Sequence, residues 1–71
     1  MKIAGLDIGT TGCKLTVFDP DGKNLGHSYR DYPVKRGKSE HEVDAQAIMG
    51  SVMEVIRDMA EKYPDIAGIG V

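Results

Sequence analysis

The chain has 71 residues, 41% hydrophobic and 28% charged, with a net charge of −2 and one cysteine. That is too apolar for a disordered tail, and a single cysteine excludes a disulfide framework. It is enough for one small core, which at this size rarely supplies more than about 3–5 kcal/mol without a metal, a disulfide or a partner.

Residues 2–8, Lys-Ile-Ala-Gly-Leu-Asp-Ile, are a nearly continuous apolar run ending at Gly9. Such a run predicts a central strand buried on both faces. Its start at Lys2 leaves no expected room for a signal peptide. Gly9-Thr10-Thr11-Gly12 predicts a turn, and Cys13 to Phe18 alternates as a second strand, with Cys13, Leu15 and Val17 on one face and Lys14, Thr16 and Phe18 on the other. Asp19-Pro20-Asp21-Gly22 is a turn signal, because proline presets φ and glycine accepts φ > 0. A third, less apolar strand is expected from about Asn24 to Tyr32, stopped by Pro33; its polar His27, Ser28, Arg30 and Asp31 suit a sheet edge. The three strands form an antiparallel meander.

A polar loop is expected from Val34 to Val43, with Asp44 as the N-cap of a helix. Ile48, Val52, Val55, Met59 and Tyr63 then fall on one helical face, and Met49, Met53, Ile56 and Ala60 widen the stripe into a core surface. Pro64 ends the helix. Residues 65–71, Asp-Ile-Ala-Gly-Ile-Gly-Val, read as a fourth strand, laid parallel to one already in the sheet by a crossover. A chain that stops in mid-strand is expected to be the N-terminal part of a longer protein. The apolar strand 65–71 is then an exposed edge through which the segment would self-associate.

Charge is unevenly spread: residues 1–38 carry seven Lys/Arg against four Asp/Glu, and residues 39–71 carry two against seven. The basic cluster Lys35, Arg36 and Lys38 has no interleaved aromatics, so it reads as a solvated loop rather than a nucleic-acid surface. No apolar run approaches the roughly 20 residues needed to span a bilayer. Neither nucleic acid nor membrane is therefore an expected partner, and the cysteine usage fits the cytoplasm. Cys13, His27 and His41 lack zinc-ligand spacing; Cys13 reads as an inert core thiol and His41 as a solvated loop residue.

The chemistry is concentrated in Gly5-Leu-Asp-Ile-Gly-Thr-Thr-Gly-Cys-Lys14. Asp7 interrupts an apolar strand, where an unpaired carboxylate is costly, and a turn built only of glycine and threonine follows it. Glycines let backbone N–H groups approach an anion, threonine hydroxyls donate to phosphate oxygens, and Lys14 adds positive charge. A carboxylate beside a phosphate cradle makes sense with Mg²⁺ between them. The same residues also make a plain tight turn whose aspartate caps backbone N–H groups, and the residues alone leave both readings open. Gly5, Gly9 and Gly12 do not match G-x-G-x-x-G, and a strand follows where a dinucleotide fold needs a helix. Gly37-Lys38-Ser39 has Tyr32 where a phosphate-binding loop of the Walker type requires glycine.

This stretch, the strand ending Val-Phe-Asp19, the Asp21-Gly22 turn and His41-Glu42-Val43-Asp44 before a helix together resemble the N-terminus of the FGGY carbohydrate kinases, within the actin/hexokinase-like ATPase superfamily. The resemblance covers all 71 residues; Ala45 stands where family members commonly have proline. It implies the start of an α/β, ribonuclease H-like domain occupying residues 1–71, with the rest of that domain and a second domain outside this sequence. It implies ATP and Mg²⁺ as cofactors and a sugar or polyol as substrate. Asp7 would sit beside the Mg²⁺, through water, Thr10 and Thr11 would contact phosphates, Gly9 and Gly12 would shape the loop, and Lys14 would contribute charge. The catalytic base, an aspartate, would lie downstream, so the segment alone is expected to be inactive. Another ATPase of the same superfamily, such as an activator ATPase, and a small standalone binding module are the alternative readings.

Overall fold

The computed structural model describes residues 1–33 and 45–71. The expected loop from Val34 to Val43, its basic cluster, Glu42 and the Asp44 cap lie outside the described residues. Strands β1 (Lys2–Ile8), β2 (Gly12–Phe18) and β3 (Asn24–Asp31) precede helix α1 (Ala45–Lys62) and strand β4 (Ile66–Gly70). They form one sheet in the order β3-β2-β1-β4. The β1–β2 and β2–β3 pairs are antiparallel and β4 runs parallel to β1, as the meander and crossover require.

Local chemistry accounts for the connections. In the β2–β3 turn the Asp19 carboxylate accepts from the N–H groups of Asp21 and Lys23, both at 2.9 Å. Gly22 supplies the positive φ of 87° that the turn needs. After α1, Pro64 has no N–H to continue the ladder, and the Tyr63 N–H closes the last turn on the Met59 carbonyl at 2.7 Å.

The core lies between α1 and one face of the sheet. Ala4, Leu6, Cys13, Leu15 and Val17 from the strands meet Val52, Val55 and Met59 from the helix, and Leu15, Val17 and Val55 have no exposed surface at all. At the edge of this interface Ser28 and Arg30 on β3 both bond the Asp58 carboxylate on α1, the Ser28 hydroxyl at 2.9 Å, and Arg30 also pairs with Glu54 at 3.5 Å. These polar contacts fix the helix over β2 and β3.

Two expectations are corrected. The first strand is central in sheet order but covered on one face only: Ile3 is 53% exposed and Asp7 is exposed beside it. One helix can cover one side of a sheet, and no described element packs on the other. The expected widening of the helix stripe also fails, because Met49 and Met53 are 60% and 52% exposed. They sit too far around the helix to reach the sheet once Val52, Val55 and Met59 point into it. Ile56 alone of the added residues packs partly against the core. Among the described residues, no helix is long and apolar enough to cross a membrane.

Candidate functional site

The uncovered face carries the polar residues that the apolar strands could not bury. Asp7 on β1 stands opposite Lys14 on β2, and Lys14 stands opposite Tyr29 on β3, so the three form one row across the sheet. The row lies next to the hairpin Gly9–Gly12. Asp7 and Lys14 are both exposed, and neither side chain has a hydrogen bond or an ion pair within 4.0 Å among the described residues. A carboxylate and an ammonium on facing positions, each left open, can serve a ligand that carries both a cation and anionic oxygens.

The hairpin is tied from below. The Gly9 N–H donates to the Gly12 carbonyl at 2.9 Å. The Tyr32 hydroxyl donates to the Gly9 carbonyl at 3.0 Å, and the Tyr32 N–H donates to the Thr11 carbonyl at 2.9 Å. Three carbonyls of the turn are thus satisfied, whereas the N–H groups of Thr10 and Thr11 have no backbone acceptor among the described residues. Open amides at a turn are what an anion needs.

From β3, Tyr29 leans over Gly12 on the same face as Lys14. A Cβ on Gly12 would fall 2.5 Å from the Tyr29 hydroxyl oxygen and 2.6 Å from the Arg30 carbonyl oxygen, so the position accepts only glycine. The Tyr29 hydroxyl donates to the Asp31 carboxylate at 2.8 Å, and that bond, with some burial, raises the phenol above its ordinary pKa. Burial raises Tyr32 as well, which keeps its O–H protonated as a donor to Gly9. The Cys13 thiol is raised mainly by burial and is fully enclosed, which fits the inert core role expected of it.

The structure therefore gathers all six expected site residues, Asp7, Gly9, Thr10, Thr11, Gly12 and Lys14, at one end of the sheet. Sequence reading missed Tyr29 and Tyr32, which β3 delivers to the same end. The one available signal was a tyrosine directly before Pro33, where the strand must stop. Among the described residues no cluster of three or more His, Cys, Asp or Glu could hold a metal on its own. A lone open carboxylate beside open amides fits Mg²⁺ that arrives with a phosphate ligand and keeps most of its waters. A recess of about 270 Å³ between α1 and β4, lined by Leu15, Ile56, Ala60 and Ile69 among others, lies on the opposite face and has mainly apolar walls.

Residues 2–71 match the N-terminal domain of the FGGY family of carbohydrate kinases. The chain is 37% identical over 76 residues to a glycerol kinase of Lactococcus lactis and 38% identical over 77 residues to one of Alkaliphilus metalliredigens, in each case with 97% of this chain aligned. It spans 15% of the length of those relatives. Among solved structures, a gluconate kinase and a xylulose kinase, both from Lactobacillus acidophilus, superpose with a TM-score of 0.83 at 34% identity, over 96% of this chain and 14% of theirs. The four-stranded mixed sheet with its single helix corresponds to the opening of the actin-like domain in these kinases. Family match, relatives and fold agree, and the chain belongs to the FGGY family of carbohydrate kinases.

Proposed function

We propose that the protein carrying this chain transfers the γ-phosphoryl group of ATP to a hydroxyl of a sugar or polyol, and that the Gly9–Gly12 hairpin is its first phosphate-binding element. The observation that carries this reading is the juxtaposition of the Asp7 carboxylate and the Lys14 side chain, both open among the described residues, with the N–H groups of Thr10 and Thr11, which have no backbone acceptor there. The family relatives named for glycerol, gluconate and xylulose support the acceptor class.

Phosphoryl transfer asks a protein chiefly to position charged oxygens and to stabilise the charge that develops on them. In this reading the Thr10 and Thr11 amides and hydroxyls donate to phosphate oxygens, and Lys14 places positive charge beside them. Asp7 is the residue that would hold a hydrated Mg²⁺ beside the phosphates, through its open carboxylate. The Mg²⁺, when bound, screens the phosphate charge. These residues bind and orient one reactant. The acceptor contacts and the group that takes the hydroxyl proton are assigned to the part of the kinase that this chain does not span, so the 71 residues by themselves should be inactive.

The test is ADP release from Mg-ATP across a panel of pentoses, hexoses and polyols, with the gene product that contains this chain. One acceptor should support turnover, and Asp7→Ala should abolish it. Because Asp7 is exposed and unpartnered, the same substitution should change stability by no more than about 0.5 kcal/mol. Full activity in Asp7→Ala, or no acceptor-dependent ADP release from the parent, overturns the proposal.

A further inference from the structure

Tyr32 directly follows β3, but its polar contacts belong to the hairpin. The residue is 6% exposed and belongs to the main core, and its hydroxyl and N–H both reach the turn. The hydroxyl donates to the Gly9 carbonyl and the N–H donates to the Thr11 carbonyl. The Gly9 carbonyl and the Thr10 N–H belong to one peptide group, and no peptide in the described residues is cis. A trans peptide holds its C=O and N–H antiparallel. A Gly9 carbonyl drawn toward Tyr32 therefore leaves the Thr10 N–H pointing away from the core that encloses the tyrosine ring. The hydroxyl stays protonated because burial disfavours the phenolate, so the bond persists across the neutral and mildly alkaline range.

From this we infer that Tyr32 is a positioning residue for anion binding: its hydroxyl sets the orientation of the Gly9–Thr10 peptide, so that the Thr10 amide is presented to a phosphate oxygen before any ligand arrives. The inference rests on the reading of the hairpin as a phosphate-binding element. It adds a residue 23 positions away in sequence from the carbonyl it holds. Preorganised donors aimed at an anion cost no reordering on binding, whereas a freely rocking peptide must be fixed first.

Tyr63 supplies an internal control. Its hydroxyl donates to the Leu25 carbonyl at 2.9 Å, a bond of the same kind between the end of α1 and β3, remote from the hairpin. Tyr32→Phe and Tyr63→Phe each remove one hydroxyl and keep the ring, so both should fold and lose similar amounts of stability. Only Tyr32→Phe should raise the KM for ATP, by about three- to tenfold, the range that one hydrogen bond commands. The KM for the acceptor should stay put. The complementary readout is the Thr10 amide resonance in threonine-labelled protein titrated with Mg-ATP. It should reach half of its full response in the parent at a Mg-ATP concentration about three- to tenfold lower than in Tyr32→Phe.

Unaltered ATP KM in Tyr32→Phe, with an unaltered Thr10 response, overturns the inference while leaving the kinase reading intact. An equal rise in Tyr63→Phe overturns it too, since general softening would then explain both. If the parent shows no kinase activity but its Thr10 amide responds to Mg-ATP more strongly than that of Tyr32→Phe, the positioning role stands and the reaction reading falls. No Thr10 response in the parent removes both.

Discussion

The two faces of the sheet divide the work of the same strands. On β2, Cys13, Leu15 and Val17 point at α1 and are sealed, while Lys14 and Thr16, one residue away in each case, belong to the uncovered face. On β1, Ala4 and Leu6 join the core, whereas Ile3 and Asp7 do not. A strand turns successive side chains to opposite sides, so a stretch as short as Gly5–Lys14 can hold core and chemistry without either compromising the other. The comparison teaches that a residue's cost or use here follows its parity as much as its position. Asp7 in the middle of an apolar strand carries no burial penalty in this chain, because its side of the sheet is open.

Neighbouring residues should therefore behave oppositely when removed, and the largest effect belongs to the sealed face. Leu15→Ala deletes a side chain with no exposed surface from the centre of the interface with α1. The expected loss is about 2–5 kcal/mol, comparable to everything a core of this size supplies, so the variant should be largely unfolded. Lys14→Ala, its neighbour, should move stability by no more than about 0.5 kcal/mol. Urea unfolding followed by far-ultraviolet circular dichroism measures both. Similar losses in the two variants would mean that the faces are not energetically separate.

The sharpest point of contact between the faces is Gly12. Cys13, the next residue along β2, packs into the core, while the missing side chain of Gly12 leaves room for the Tyr29 phenol on the open face. Gly12→Ala would force a Cβ to within 2.6 Å of the Arg30 carbonyl, which is backbone and cannot swing aside as the tyrosine can. Separating β2 from β3 at this point should cost about 1–3 kcal/mol, an overpacking penalty. Gly9→Ala meets the Gly12 carbonyl only at 3.2 Å and should cost less. Amide exchange along β3, faster at Tyr29–Asp31 in Gly12→Ala than in Gly9→Ala, would locate the damage; equal exchange would show that the close approach is not what constrains Gly12.

Much of this was legible in the residues. Alternation from Cys13 to Phe18 identified which side chains would be sealed, and the Pro20 and Gly22 signals placed the turn between β2 and β3. The helix came from periodicity and its end from Pro64. What could not be read was which faces would be covered. Apolar residues at Ile3, Met49 and Met53 look like core in a sequence, yet burial depends on where a second element lies, and period alone does not supply that. The candidate site was legible as composition, since glycine, threonine, aspartate and lysine cluster around one turn. The tyrosines that brace it were not, because Tyr29 and Tyr32 reach the hairpin through the β2–β3 register rather than through nearness in the chain.

The smallest expected effect lies at the far end of the sheet from the hairpin, where β4 begins. There the Lys2 ammonium pairs with the Asp65 carboxylate, and the Lys2 N–H donates to the Asp65 carbonyl at 3.2 Å, joining the starts of β1 and β4. The Lys2 hydrogen bond is the main reason that the Asp65 carboxyl lies below its usual pKa. A carboxylate with a lowered pKa in the folded chain contributes stability that is present above the unfolded value, about pH 4, and lost as pH falls through the folded one. Asp65 is exposed, so solvent screens the pair and the contribution is minor. Asp65→Asn should leave a stability difference from the parent that is constant near neutrality and shrinks below about pH 4. High salt should shrink it too, because exposed charges are screened over about 10 Å at 0.1 M ionic strength. Leu15→Ala should show neither dependence. A salt- and pH-independent difference in Asp65→Asn would instead mean that the charge of this side chain contributes nothing to holding β4 against the sheet, which would leave the backbone bond, intact in the variant, to join the two strand starts.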